Sequence, residues 1–246
     1  MNYTNMTISK FFALATVFVA AFTLGSCSKD DDEEEKTVVE NNQKTVDHEY
    51  VDLGLPSGTL WATCNVGASK PEEYGNYYAW GEIETKKSYD FDNYKWGDGS
   101  GKVTKYCEYS ICGTVDNKNE LLPEDDAATA NWGSSWRMPS LTQIKELFDS
   151  GNTTSKWTTQ NGINGFLITS KKNGKTLFLP AAGSRAGEGA LDKPGERGEY
   201  WSRSLLSLEN GSACASDIQF FDSSFSIECA SNRVTGGSVR PVRTQK

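Results

Sequence analysis

The chain has 246 residues and a mass of 27.0 kDa, room for one sizeable domain beside a leader or tether. Aromatics make up 11% and include seven Trp, so most of the chain can bury a core and is not a disordered one. The net charge of −8 argues against a nucleic-acid partner, and the single histidine, His48, excludes a His-rich zinc site and leaves any Ser-His-Asp or Cys-His mechanism one candidate base.

Residues 1–26 read as a targeting segment. Lys10 and the amino terminus are its positive region, and residues 11–24 are uncharged and mostly apolar. About 20 apolar residues are needed for a membrane-spanning helix, so this run suits a signal peptide better. It ends in Leu24-Gly25-Ser26-Cys27, which resembles a bacterial lipobox and implies acylation of Cys27. The alternative is an ordinary secretory signal with a spare cysteine. Residues 27–47 form an acidic tether, in which 28–40 hold seven acids against two lysines. The run Asp30 to Glu35 resembles the acidic signal that sends lipoproteins of Bacteroides-type bacteria to the outer face of the outer membrane. The plainer reading is a solvated, self-repelling linker.

Residues 48–246 read as one α+β domain. A short strand is expected at 49–53, and a Pro56-Ser57-Gly58 turn leads into Thr59-Leu60-Trp61. Residues 71–120, rich in Gly, Tyr, Asp and Asn, read as long loops packed by their aromatics. Pro123 in a first turn, with Glu124, Asp125 and Asp126 at the positive dipole end, predicts a helix from 123 to Trp132, stopped by Gly133. A second helix is capped by Ser140 with Gln143 completing a capping box, carries Leu141, Ile144, Leu147 and Phe148 on one face, and is closed by Gly151. Asn173-Gly174 between 165–169 and 176–179 predicts a hairpin. Gly174-Lys175-Thr176 lacks the upstream glycine and the following helix of a phosphate loop. Residues 181–199 read as a Gly-rich loop holding Arg185 and Arg197, and strands follow at 199–203, 215–221, 225–229 and 238–243.

Seven strings occur in order: VDLGLPSGTLWATCNVGA at 51–68, YAWGE at 78–82, DDAA at 125–128, WRMPS at 136–140, FLPAAG at 178–183, EYWS at 199–202 and SVRPV at 238–242. Together they resemble the Fibrobacter succinogenes major paralogous domain family of lipoproteins, over essentially the whole folded part. That resemblance implies a C-type-lectin-like fold related to the formylglycine-generating enzymes, with small antiparallel sheets, two short helices, long loops and paired terminal strands. It also implies that the first strand, near 49–53, pairs with the last, near 238–243, and that the late strands make a ligand surface. Trp61, Trp80, Trp136 and Trp201 are expected to be buried anchors of a loop-rich core.

The late hairpin supplies the expected site. Alternation puts Ile218, Phe220, Phe225 and Ile227 toward the core and displays Asp217, Gln219, Phe221, Ser226 and Glu228 on the other face as a ligand surface. No catalytic motif is legible. Cys107 and Cys112 lie on the wrong side of WRMPS for the oxidase pattern, and paired carboxylates for glycoside hydrolysis carry no signature. No cofactor is expected: Asp116, Asn117, Asn119 and Glu120 are an oxygen-rich run that could take calcium, with a solvated loop the plainer reading. Cys64, Cys107, Cys112, Cys214 and Cys229 have no readable connectivity, with Cys214–Cys229 one option across the hairpin. The expected function is a non-catalytic module, tethered to the outer membrane through its lipid, that binds a glycan or a surface protein. The alternative is a structural or assembly component of a surface complex.

Overall fold

The computed structural model describes residues 47–207, 213–222 and 224–244. The leader, Cys27 and the acidic run at 30–35 lie outside the described residues. Among the described residues, thirteen strands and two short helices make a mixed α+β architecture of small sheets joined by long loops.

The domain opens with a hairpin. Strand β1 (Tyr50–Asp52) pairs antiparallel with β2 (Thr59–Ala62), and the Gly58 amide donates to Leu55 O at 2.9 Å to close the turn. All four residues of β2 are buried, so both of its edges need partners. Strand β13 (Val242–Thr244) takes the second edge, with Val242 opposite Trp61. The sheet order is β1-β2-β13, so the terminal strands do not pair with each other. That corrects the expected direct pairing. A neighbour joined by a tight turn closes a far shorter loop than one almost 190 residues away, and takes the adjacent position. Arg240, 1% exposed, locks the closure by donating to Asn65 Oδ1 at 2.8 Å and to the Ala62 and Thr63 carbonyls at 3.1 and 2.6 Å.

The first helical region is divided. Pro123–Asp125 is a single 3-10 turn, and α1 (Ala127–Trp132) starts only after Asp126. The Asp126 carboxylate caps α1 at the Ala128 and Thr129 amides and also accepts from the Met138 amide at 2.9 Å. One side chain thus breaks the helix and ties it to the WRMPS segment. Helix α2 (Leu141–Phe148) carries the full Ser140–Gln143 capping box and buries Ile144, Leu147 and Phe148. It ends at Asp149, before Gly151, and the Asp149 carboxylate accepts from the Gly151 amide at 2.7 Å.

Strands β4 (Thr153–Gln160), β5 (Ile163–Ser170) and β6 (Thr176–Pro180) form a meander. Gly174 has φ +71° in the β5–β6 turn, a conformation that Asn-Gly turns favour. The Gly-rich stretch after β6 holds a small hairpin of β7 (Ser184–Ala186) and β8 (Ala190–Asp192), where a loop was expected. A five-stranded sheet then joins β11 (Phe225–Asn232), β10 (Ala213–Phe220), β9 (Gly198–Ser207), β12 (Gly237–Ser238) and β3 (Tyr77–Tyr78), in that order. Trp80, Trp136 and Trp201 gather in one core cluster with Met138 and Val239, and Trp61 sits in a second with α2, β5 and β6. The Nε1 atoms of Trp80 and Trp201 donate to the Ser202 and Tyr78 carbonyls, both at 2.8 Å, so these rings cross-link strands as well as fill volume.

Candidate functional site

The five residues assigned to an exposed face do not form one. Asp217 is fully buried, Gln219 half-buried, and Phe221, Ser226 and Glu228 exposed. The alternation fails at a β-bulge: Asp217 lies opposite Cys229 and Ile218 opposite Ile227, which leaves Glu228 as the extra residue, at φ +65°. Its carboxylate turns to Lys145 on α2, at 2.7 Å. Of the expected core set, Ile218 and Phe220 are buried and Ile227 is half-buried. Phe225 is 39% exposed, with its ring 4.8 Å from that of Phe148.

Asp217 belongs instead to an internal polar cluster. Its Oδ2 accepts from Gln219 Nε2 at 3.1 Å and Ser231 Oγ at 3.0 Å, while its Oδ1 has no hydrogen-bond partner among the described residues. Glu199, on the same face of β9, is 3% exposed and pairs with Arg197 at 3.2 Å. Burial first, and the neighbouring Glu199 charge second, push the Asp217 carboxyl up to about 7. Burial likewise raises Glu199, against the pull of Arg197. With Asp217 fully enclosed, this carboxylate pair opens onto no cleft.

The oxygen-rich run is also occupied by protein donors. Asp116 accepts from the Tyr106, Cys107 and Lys118 amides and pairs with Lys118 Nζ, and Glu120 pairs with Arg203 at 3.1 Å. Asp125 does not act as a helix-start charge. It is buried, holds Lys95 at 3.0 Å and Lys105 at 2.5 Å, and accepts from the Tyr106 hydroxyl at 2.6 Å. Among the described residues no three His, Cys, Asp or Glu side chains are placed to hold a metal ion. Cys214 faces Asn232 and Cys229 faces Asp217, so these thiols sit three registers apart, and all five cysteines of the domain are free.

What the hairpin does display is aromatic. Phe220, fully buried, stacks on Phe166 with ring centroids 4.8 Å apart and on Tyr200 at 5.8 Å. Gly198 lies directly beneath the Phe220 ring, where a Cβ would come within 2.0 Å of it, so only glycine admits this approach. The stack continues outward. Trp157 of β4, half-buried, meets Phe166 edge-on at 5.9 Å, and Phe225 meets it edge-on at 6.3 Å. Phe221, 37% exposed, stands at the hairpin tip, where its amide donates to Ser224 O at 2.8 Å.

Two open depressions share Trp157 and Asp222 as walls. One, of about 590 Å³, is lined by Lys156, Phe166, Ser224 and Phe225, and the other, of about 450 Å³, by Asn164, Gly195, Glu196 and Phe221. Asn164 donates to the Gly195 carbonyl at 3.0 Å and fixes the second wall. The result is an aromatic surface rooted in a rigid core stack and fringed by charged and amide groups. Phe221 was legible in the sequence. Trp157 escapes the sequence reading because β4, Thr-Thr-Ser-Lys-Trp-Thr-Thr-Gln, has no apolar alternation; a lone Trp amid polar residues is the one signal it offers. No family model, curated protein or solved structure matches the chain.

Proposed function

We propose that this chain is a lipid-anchored, surface-exposed lipoprotein whose C-type-lectin-like domain binds a glycan, without catalysis, on the Trp157–Phe221–Phe225 surface. One observation carries the reading: three partly exposed aromatic rings, two of them braced by a buried aromatic stack, stand beside polar groups at the edge of two depressions. Such rings present flat apolar area to the C–H faces of sugars, while neighbouring amides and carboxylates meet the hydroxyls. Rings fixed in advance lose little side-chain freedom on binding. The seven ordered motifs and the Leu24-Gly25-Ser26-Cys27 string support the family and the anchor.

The test is a glycan screen with the full chain, followed by Trp157→Ala and Phe221→Ala. Loss of the same glycan signal in both variants, with the fold retained, is the expected result. A signal that survives both removes the surface from the proposal. For the anchor, Cys27→Ser is expected to abolish incorporation of labelled fatty acid. The assembly-component reading rests on one different observation, the exposed Tyr109, Ile111 and Val115 within one loop, with Ile111 at 60%. Co-purification of a partner that Ile111→Ser releases, with no glycan bound, would favour it.

A further inference from the structure

The WRMPS string has a consequence outside the aromatic surface. The Arg137 amide donates to the Val242 carbonyl at 3.0 Å and the Val242 amide to the Arg137 carbonyl at 2.8 Å, which lays this segment along the free edge of β13. Beside it lies a groove of about 830 Å³, the walls of which include Arg137, Arg203 and Arg243 together with Ser134, Ser135 and Gln143. The three arginines come from three separate segments of the chain.

Their donors decide what the groove can hold. Arg203 is fixed by Glu120 at 3.1 Å and by the Met138 carbonyl and Gln143 Oε1, both at 3.1 Å through one terminal nitrogen. Arg243 lies over the Tyr50 ring at 4.3 Å and the Trp136 ring at 5.4 Å, and pairs through one nitrogen with Asp47 at 3.2 Å. Asp47 is 82% exposed, so this pair is weak and exchangeable. The Arg137 side chain is exposed and its guanidinium has no partner among the described residues. A guanidinium carries five N–H donors and no acceptor. The groove is therefore rich in unmatched donors and poor in acceptors, and its complement is a ligand with oxyanion groups. Its volume exceeds that of one small anion, and the exposed Ser134 and Ser135 hydroxyls match hydroxyl groups between anionic ones. The Trp132 face is already covered by His48, stacked at 3.6 Å, so stacking on that ring is not the mode of binding.

We infer that this groove is a second binding site, separate from the aromatic surface, that takes a single strand of carboxylated polysaccharide. A narrow strand meets the arginines locally. A broad polyanion, such as duplex nucleic acid or an anionic bilayer, meets the repulsion of a chain with net charge −8.

The experiment titrates the full chain with polygalacturonate and, separately, with neutral dextran, polyglutamate and inorganic sulfate. Polygalacturonate is expected to bind and dextran not to. Arg137→Gln and Arg243→Gln are each expected to weaken binding roughly tenfold, the loss of one charge-assisted contact. Raising salt is expected to weaken it further, and Phe221→Ala to leave it unchanged. Arg137 makes no side-chain bond to lose, so its variant folds and reads the site directly. Polygalacturonate affinity unchanged in both arginine variants overturns the inference. So does sulfate binding without polygalacturonate binding, and so does polyglutamate binding as tightly as the polysaccharide, which would make the groove a peptide site. Loss in Phe221→Ala as large as in Arg137→Gln would also overturn it, by merging the two sites.

Discussion

The two faces of the β9–β10 ribbon are built from alternating neighbours in sequence and are both buried, yet they are opposite in chemistry. On one face Tyr200, Ile218 and Phe220 join an aromatic and aliphatic stack. On the other, Glu199, Asp217 and Gln219 form a polar cluster with Ser231, in which one carboxylate oxygen has no partner. Burial of the apolar face is favourable throughout. Burial of the polar face costs unless every group is paired, and here one is not. A sheet face that reads as polar need not be a solvent face.

The comparison breaks most visibly at Phe220. Phe220→Ala is expected to cost about 3–5 kcal/mol of unfolding free energy, because it empties a fully enclosed site between Phe166 and Tyr200. Denaturant unfolding measures it. An equal loss in Phe221→Ala would mean that the two residues share one environment.

The polar face makes the reverse prediction. Asp217 is raised in the folded state from 3.8 to about 7, so between those values the native chain holds a proton that the unfolded chain has released. Stability therefore falls as pH rises from about 4 to about 7, by on the order of 4 kcal/mol for this group, and is level above that. Asp217→Asn is expected to flatten that slope. At pH 8 it is expected to be more stable than the parent by about 2 kcal/mol, since the introduced amide N–H also lacks a partner. An unchanged pH profile in the variant would show that Asp217 is ionised and paired in the native state.

Smaller effects sharpen the boundary between inside and outside. Phe221→Ala is expected to change stability by less than about 1 kcal/mol while weakening glycan binding tenfold or more, from the apolar area it presents. Calorimetry and titration of the same sample separate the two. Smallest is Glu228→Gln, which removes an ion pair to Lys145 whose side chains are 43% and 51% exposed. The expected cost is about 0.2–1 kcal/mol, disappearing in high salt. A larger, salt-independent loss would make the bulge itself dependent on that pair.

Much of the fold was legible because its signals are local. The Ser140–Gln143 box, the Gly133 stop after Trp132 and the Asn173-Gly174 turn each depend on residues within a few positions, and each appears at its place. The candidate site was legible only at Phe221. Trp157 and Phe225 meet each other through the Phe166 ring of another strand, and no spacing in the sequence encodes that meeting.

The sequence by itself determined the mixed α+β class, the buried tryptophans and the capped second helix, because propensity, capping and aromatic burial act within short windows or on single residues. Tertiary structure alone decided three things: that β2 stands between β1 and β13, that Asp126 divides a helix by bonding Met138, and that the polar face of β10 is covered as well as the apolar one, which buries Asp217. Each depends on a hydrogen-bond partner or a covering segment brought from elsewhere in the chain, and its free energy exists only once those parts have met.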